Sequence, residues 1–184
     1  MRIVAGAFRG RSLVAPKGHS TRPTADRVRQ ALFNVLEHAP WSRPLAGARV
    51  ADVFAGSGAL GLEALSRGAA FCLFIDHDRE ARAAVAANLE SLDCGVQARV
   101  LAADAARSAV NADAPFDLAL LDPPYGKSLG EAALAGLSAG GWLAPDARIA
   151  IERGADEPAL EVAGYKILDT RRWGAARVWF LKPH

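Results

Sequence analysis

The stretch VADVFAGSGALGLEA at residues 50–64 decides the fold class. An apolar run leads into a G-x-G-x-x-G turn and then into helix-forming residues, which is typical of a strand, a tight turn and a helix around a ligand. Gly56 permits the tight turn, Gly58 lets a ligand approach the backbone, and Gly61 allows close packing of the helix on the strand. We therefore expect a ligand-binding βα unit at one edge of a parallel sheet.

The rest of the chain after residue 48 alternates apolar runs with helical segments, the pattern of a parallel sheet covered on both faces. Right-handed crossovers then give an α/β, doubly wound sheet. The predicted strands cover 48–54, 70–75, 98–103, 116–121 and 147–152, and the predicted helices cover about 59–67, 79–92, 104–111 and 128–139. Two further apolar runs, 165–170 and 176–181, flank a turn and predict a terminal hairpin.

The first 43 residues have a different pattern. Apolar runs at 2–6 and 11–15 flank a turn at 8–10 and predict a short hairpin. Helical apolar spacing follows from Thr24, the expected N-cap. We predict two units, a basic N-terminal hairpin and helix at 1–43 and a larger α/β domain at 44–184.

Composition excludes several classes of protein. Of 184 residues, 51% are hydrophobic and 23% charged, which excludes a disordered chain. No apolar run approaches the roughly 18 residues that a membrane span needs. Two cysteines give neither a disulfide framework nor a zinc site built from cysteine pairs. Because residues 1–6 also lack the apolar stretch of a secretory signal, we expect a cytoplasmic protein.

Charge is distributed unevenly along the chain. Residues 1–43 carry a net charge of +6, residues 44–161 carry −8, and residues 162–184 carry +4. This pattern favours an acidic enzyme core with a flank that docks on a polyanion, although a solvated basic surface remains the alternative. The candidate phosphate contacts are Arg9, Arg11, Arg22, Arg27 and Arg29.

Acidic residues near the glycine turn distinguish between cofactors. Asp52 precedes the glycines, where it would repel a pyrophosphate but attract the sulfonium and ammonium groups of S-adenosylmethionine. Asp76 follows the next apolar run, where a carboxylate can accept both ribose hydroxyls. Asp104, after the third run, is placed either to bind an adenine amino group or to cap a helix.

The tetrapeptide Asp122-Pro123-Pro124-Tyr125 comes directly after a predicted central strand. Two prolines make a stiff turn, so Asp122 and the Pro123 carbonyl can face one exocyclic amine of a nucleobase and favour its nucleophilic form. Tyr125 offers a ring on which that base can stack. The base must leave its helix or loop to reach such a pocket. On the tetrapeptide alone, an exposed turn with no chemistry is the other interpretation.

Motifs along nearly the whole chain resemble the RsmD-type 16S ribosomal RNA (guanine-N2) methyltransferases of bacteria. The glycine turn and the Asp-Pro-Pro-Tyr sequence are shared by many nucleobase amino-methyltransferases, whereas the basic N-terminal motifs are more specific. The matching motifs are RIVAG at 2–6, RGR at 9–11, RPTADRVR at 22–29, DVFAGSGALGLEA at 52–64, DPPY at 122–125 and RWG at 172–174.

The resemblance implies a Rossmann-like, mostly parallel seven-stranded methyltransferase sheet that ends in an antiparallel hairpin. S-adenosylmethionine would be the cofactor and one guanine of 16S rRNA the substrate, within a small-subunit particle; we expect a monomer with no metal and no membrane partner. Carried over by position, the methionine part would contact Asp52, Phe54, Ala55, Gly56, Ser57, Gly58 and Gly61. Asp76 would hold the ribose, Asp104 the adenine, and the segment from Asp122 to Tyr125 the target base.

Three other functions stay open from the sequence. Asp-Pro-Pro-Tyr also suits adenine-N6 methylation of DNA or RNA. A nucleotide-binding module without chemistry would have no need of this tetrapeptide at the end of a strand. An NAD-dependent dehydrogenase is the third alternative, and Asp52 and the lack of a separate substrate domain argue against it.

Overall fold

The computed structural model describes residues 1–16, 24–105, 110–111, 113–126 and 128–184, with only the backbone of residues 24 and 25. Within these ranges, helices and strands alternate from residue 49 to residue 154 and two strands complete the chain. The elements are α1 (Thr24–His38), β1 (Arg49–Val53), α2 (Ala59–Ser66), β2 (Phe71–Asp76), α3 (Arg79–Leu92), a 3-10 turn (Gly95–Gln97), β3 (Ala98–Ala102), β4 (Phe116–Leu121), α4 (Leu129–Ala139), β5 (Leu143–Gly154), β6 (Tyr165–Trp173) and β7 (Ala176–Pro183).

The seven strands form one sheet in the order β3-β2-β1-β4-β5-β7-β6. Strands β1 to β5 are parallel, whereas β7 is antiparallel to both β5 and β6. This confirms the predicted Rossmann-like sheet with a terminal hairpin. The strand order reverses between β1 and β4, and in such sheets ligands bind outside the carboxyl ends of the strands at that point.

Both faces of the sheet are buried, because successive residues of each central strand point to opposite sides. In β1, Val50 packs with the N-terminal segment and helices α1 to α3, whereas Ala51 and Val53 pack with α4. Phe33 of α1 is completely buried in the first of these layers. Burial of such a side chain contributes about 1.5–3 kcal/mol. The described part of residues 1–43 therefore shares one hydrophobic core with the sheet.

Polar contacts also attach the N-terminal segment to α2. The carboxylate of Glu63, which is fully buried, accepts hydrogen bonds from the N–H groups of Val4 and Ala5 at 2.8 and 3.0 Å. Gly6 has φ +80°, and a Cβ there would lie 1.8 Å from the Ser66 carbonyl oxygen, so only glycine fits. The predicted hairpin is present as paired segments with a single bridge, between Arg2 and Ser12.

Three predicted elements differ from the structure. Strand β6 runs to Trp173, three residues past the predicted end at 170, so the turn of the terminal hairpin is shorter than expected. The helix predicted at 104–111 lies partly outside the described residues, and residues 104, 105, 110 and 111 are not helical. Strand β5 begins at Leu143, four residues before the predicted start, because a register shift against β4 accommodates Pro145 and Asp146. None of the described helices is both long and apolar enough to cross a membrane.

Candidate active site

The glycine turn between β1 and α2 has an unusual backbone conformation. Phe54, Gly56 and Gly58 all have positive φ angles, of 62°, 55° and 78°. The N–H of Ala55 donates to the carbonyl oxygen of Ile75 at 3.1 Å, which ties the turn to the end of β2. The turn therefore lies at the carboxyl edge of the sheet, beside the point where the strand order reverses.

The three glycines of the turn have different roles. A Cβ at Gly61 would lie 2.4 Å from the ring of Phe74 and 2.5 Å from Cys72 Sγ, which confirms close helix–strand packing. Gly58 also faces Phe74, since a Cβ there would lie 3.1 Å from the ring, so packing on β2 favours glycine here too, and approach of a ligand at Gly58 stays a prediction. Gly56 is the open position, because the nearest atom to a Cβ there would be the Phe54 carbonyl oxygen at 4.0 Å.

Asp76 supports this turn from the end of β2. Its Oδ2 accepts a hydrogen bond from the N–H of Gly56 at 2.9 Å, and its Oδ1 accepts one from the N–H of Asp78 at 2.9 Å. About a tenth of the side chain, 11%, stays exposed. Each carboxylate oxygen has a second lone pair, so the side chain can still accept hydrogen bonds from a ligand.

Asp52 lies beneath the turn. Its Oδ2 accepts a hydrogen bond from the N–H of Gly61 at 2.8 Å, and the residue is only 1% exposed. Burial, reinforced by the charge of Asp76, raises the pKa of Asp52 to about 7 despite the bond to Gly61. Asp52 therefore fixes the start of α2, and any attraction for a bound cation acts through the field of its carboxylate rather than by contact.

The Asp-Pro-Pro-Tyr turn follows β4 directly. The N–H of Asp122 donates to the Val53 carbonyl oxygen at 3.3 Å, which places the tetrapeptide next to the glycine turn. The residue as a whole is exposed, but many protein atoms surround its carboxylate. Desolvation and the negative charges of Glu152 and Asp52 raise the pKa of Asp122 to about 8. The pKa of Asp122 is therefore well above that of an ordinary aspartate carboxyl group.

Tyr125 is 43% exposed, and its hydroxyl donates to Glu152 Oε1 at 2.5 Å. Desolvation raises the pKa of Glu152, although the bond from Tyr125 opposes that rise. Glu152 belongs to β5, and Ile151 before it pairs with Leu121, the residue before Asp122. Glu152 is absent from the site residues predicted from the sequence; the signal was an acidic residue at the end of the apolar run 147–152.

Asp104 lies at the rim of an apolar cleft on the same edge of the sheet. The cleft encloses about 340 Å³, including its open mouth. Strand ends supply Val53, Ile75 and Leu101, and Leu137 and Trp142 form the opposite wall. A flat apolar ring such as adenine suits this lining, with Asp104 as the polar group at its edge.

The five arginines predicted to contact RNA are not equivalent. Arg9, Arg11 and Arg27 are exposed, and Arg22 lies outside the described residues. Arg29 is only 4% exposed, and its guanidinium lies 2.8 Å from Asp26 Oδ1 and 3.5 Å from Glu63 Oε2. Because it is buried between these carboxylates, Arg29 is unavailable to a phosphate, and we remove it from the predicted RNA contacts.

Comparison with known proteins gives consistent matches. The family model described as conserved hypothetical protein 95 matches residues 1–182. Ribosomal RNA small subunit methyltransferase D of Escherichia coli K12 is 41% identical over 153 residues, which cover 83% of this chain and 74% of that protein. The Haemophilus influenzae protein of the same name is 36% identical and covers 95% of this chain and 89% of its own length. The solved structure of Escherichia coli yhhF is 34% identical, with a TM-score of 0.81 over 100% of this chain and 98% of that one.

Proposed function

Because the chain belongs to the conserved hypothetical protein 95 family, that of the ribosomal RNA small subunit methyltransferase D proteins, we propose that it methylates the exocyclic N2 of a guanine in 16S rRNA. The methyl donor is S-adenosylmethionine. The observation that carries the proposal is the meeting of the Asp-Pro-Pro-Tyr turn and the glycine turn at one edge of the sheet, joined by the bond from Asp122 to Val53.

The residues at this edge fit a cationic cofactor. Desolvation, together with the charges of neighbouring carboxylates, raises the pKa of Asp52 to about 7 and that of Asp122 to about 8. A sulfonium or ammonium group nearby would favour both carboxylates. Gly56 leaves the backbone open to a ligand, and Asp76 beside it has free lone pairs for ribose hydroxyls. Asp104 and its apolar cleft would take the adenine.

When bound, S-adenosylmethionine supplies an electrophilic methyl group. Asp122 and the Pro123 carbonyl accept the two hydrogens of the guanine amine and orient its nitrogen lone pair toward that methyl group. An aryl amine is too weak an acid for a carboxylate to deprotonate first, even one with a pKa of about 8. Once the nitrogen carries the methyl group and a positive charge, Asp122 takes up the proton. Tyr125, 43% exposed, stacks on the extruded base.

The exposed arginines of the N-terminal segment are proposed to dock on RNA phosphates. Arg9, Arg11 and Arg27 are exposed, and the hydrogen bonds from Val4 and Ala5 to Glu63 attach the segment that carries the first two to α2. Residues 1–43, with a net charge of +6, therefore act as the docking segment, and residues 44–184 carry the chemistry. We propose that the protein acts as a monomer in the cytoplasm, on a small-subunit particle and without a metal ion.

A methyl-transfer assay tests this function. The purified protein is incubated with tritiated S-adenosylmethionine and either small-subunit particles from cells that lack it, naked 16S rRNA, or DNA. We expect label in the particle RNA and none in DNA. Transfer to DNA, or to adenine in RNA, would replace the proposal by adenine-N6 methylation, and no transfer to any nucleic acid would refute it.

A further inference from the structure

Glu152 stands at the end of β5 beside the proposed target base. Its Oε1 accepts the hydroxyl hydrogen of Tyr125 at 2.5 Å. Among the residues that the structure describes, no group donates to its Oε2, and Oε2 is not among the buried atoms that lack a partner. This oxygen is therefore accessible to a ligand.

The basic side chain that follows Glu152 in the chain is paired with other carboxylates. This residue is Arg153, and its guanidinium lies 3.0 Å from Glu131 Oε1 and 3.1 Å from Glu157 Oε2. Glu152 instead lies beside Asp122, because Ile151 pairs with Leu121 in the neighbouring parallel strand, and its negative charge raises the pKa of Asp122. Two carboxylates thus approach each other where the base would bind, and N–H donors from a ligand would relieve their repulsion.

Guanine and adenine differ in the donors that flank the reacting amine. In guanine, the N2 amine is next to N1–H, so three N–H bonds lie side by side along one edge. In adenine, the N6 amine is next to N1, which carries a lone pair and no hydrogen. A carboxylate that faces this ring nitrogen therefore binds guanine and repels adenine.

Building on the proposed function, we infer that Glu152 accepts the N1–H of the target guanine through Oε2 while Asp122 and the Pro123 carbonyl hold its N2 amine. Glu152 thereby selects guanine over bases that have an acceptor at N1. The hydroxyl of Tyr125 occupies Oε1, which leaves Oε2 to meet the edge of the base in the plane of its ring. The reaction itself is unchanged, because Glu152 binds a ring nitrogen that does not react.

The test replaces the target guanine by 2-aminopurine, which keeps the N2 amine but has a lone pair at N1. The modified nucleotide is first mapped, and 16S rRNA with either base at that position is then made by ligation and assembled into particles. We expect wild-type enzyme to lose at least about 100-fold in kcat/KM with 2-aminopurine. The measured quantity is the ratio of kcat/KM for guanine to kcat/KM for 2-aminopurine. Glu152→Gln should reduce this ratio at least tenfold, because an amide can donate to N1 as well as accept from N1–H.

Two control variants separate base recognition from support of Tyr125. Tyr125→Phe removes the bond to Glu152 but keeps the ring, and we expect it to retain the wild-type ratio. Glu161→Gln changes an exposed carboxylate outside the site and should retain both rate and ratio. Because 2-aminopurine also lacks the O6 atom of guanine, only the change in ratio between enzymes is attributed to Glu152.

The inference is overturned if Glu152→Gln keeps the wild-type ratio, or if Tyr125→Phe lowers it as much as Glu152→Gln does. It is also overturned, with no variant needed, if wild-type enzyme methylates the two bases equally well. Unchanged affinity of Glu152→Gln for S-adenosylmethionine is expected, since a loss there would assign the carboxylate to the cofactor instead. Failure of the wild type to methylate the guanine particle would refute the proposed function, a distinct result.

Discussion

The backbone N–H of Gly56 donates to Asp76 Oδ2 at 2.9 Å, so the end of the second strand holds the turn that follows the first strand. The other oxygen of Asp76 accepts the N–H of Asp78, the N-cap of α3. One carboxylate therefore fixes both the open glycine and the adjacent helix start. We therefore expect changes at Asp76 to alter both the conformation of the turn and ligand affinity.

Asp76→Ala is expected to weaken binding of S-adenosylmethionine by about 1.5–3 kcal/mol, through loss of charge-assisted hydrogen bonds to the ribose and of the bond to Gly56. Isothermal titration calorimetry measures the change. Asp76→Asn, whose amide oxygen can still accept from Gly56, should lose less. An unchanged dissociation constant for Asp76→Ala, or tighter binding of NAD than of S-adenosylmethionine, would contradict the cofactor assignment.

Asp122→Ala is expected to lower kcat by about two to three orders of magnitude, as for the loss of one preorganised partner of the transition state. Affinity for S-adenosylmethionine should stay close to wild type. Asp117→Asn is the matched control, because Asp117 lies at the other end of β4 and bonds to the N–H of Arg49. Single-turnover methyl transfer at the normal rate by folded Asp122→Ala would leave the tetrapeptide as a structural turn.

Tyr125→Ala should weaken capture of the base rather than chemistry once the base is bound. The lost stacking corresponds to about 1–3 kcal/mol, which appears as a higher KM for the RNA substrate. Tyr125→Phe keeps the ring and serves as the control. Equal RNA affinity of the alanine and phenylalanine variants would show that the ring does not hold the base.

The logarithm of the rRNA binding constant should fall linearly with the logarithm of the salt concentration. Arg9→Gln and Arg11→Gln should each reduce the magnitude of that slope by about 0.7–0.9. The reason is that each arginine that neutralises a phosphate releases counterions. Arg99→Gln, which changes an arginine that pairs with Asp113 on the acidic part of the chain, is the control. The docking surface is misplaced if the Arg9 and Arg11 variants bind rRNA as the wild type does across salt concentrations.

Titration of Asp52 is expected to make the free energy of unfolding depend on pH. Its pKa is raised in the folded chain to about 7 from 3.8, so between about pH 4 and 7 the native state holds a proton that the unfolded state releases. The free energy of unfolding therefore falls as pH rises through this window, by up to about 4 kcal/mol from this group. Urea unfolding at several pH values should show a shallower fall for Asp52→Asn. An identical slope in the two proteins would mean that Asp52 titrates normally.

The sheet and its order of elements were predictable because the strands are buried on both faces and appear as apolar runs. The exception at β5 arises from Pro145 and Asp146, which interrupt the apolar run although the strand continues through a register shift. The strand continues across that interruption because it pairs with β4. The sequence of β5 alone does not show which residues of β4 it pairs with.

The site was predictable where motifs are contiguous, and less so where folding brings distant residues together. Glu152 is 27 residues from Tyr125, and alone it resembles any acidic residue at the end of a strand. The burial of Arg29 depends on Glu63 of another helix, so net charge alone could not separate it from Arg9 and Arg11. The raised pKa of Asp122 likewise depends on folding, through desolvation of its carboxylate and the charges of Glu152 and Asp52 on neighbouring strands.

The most direct test of the proposed activity is to map methylated nucleotides in 16S rRNA from cells with and without this protein. Mass spectrometry of nuclease fragments identifies both the base and the position of the methyl group. The proposal predicts that one N2-methylguanine disappears without the protein and returns when the wild-type chain, but not Asp122→Ala, is supplied. Identical methylation with and without the protein, or loss of an N6-methyladenine instead, would contradict it.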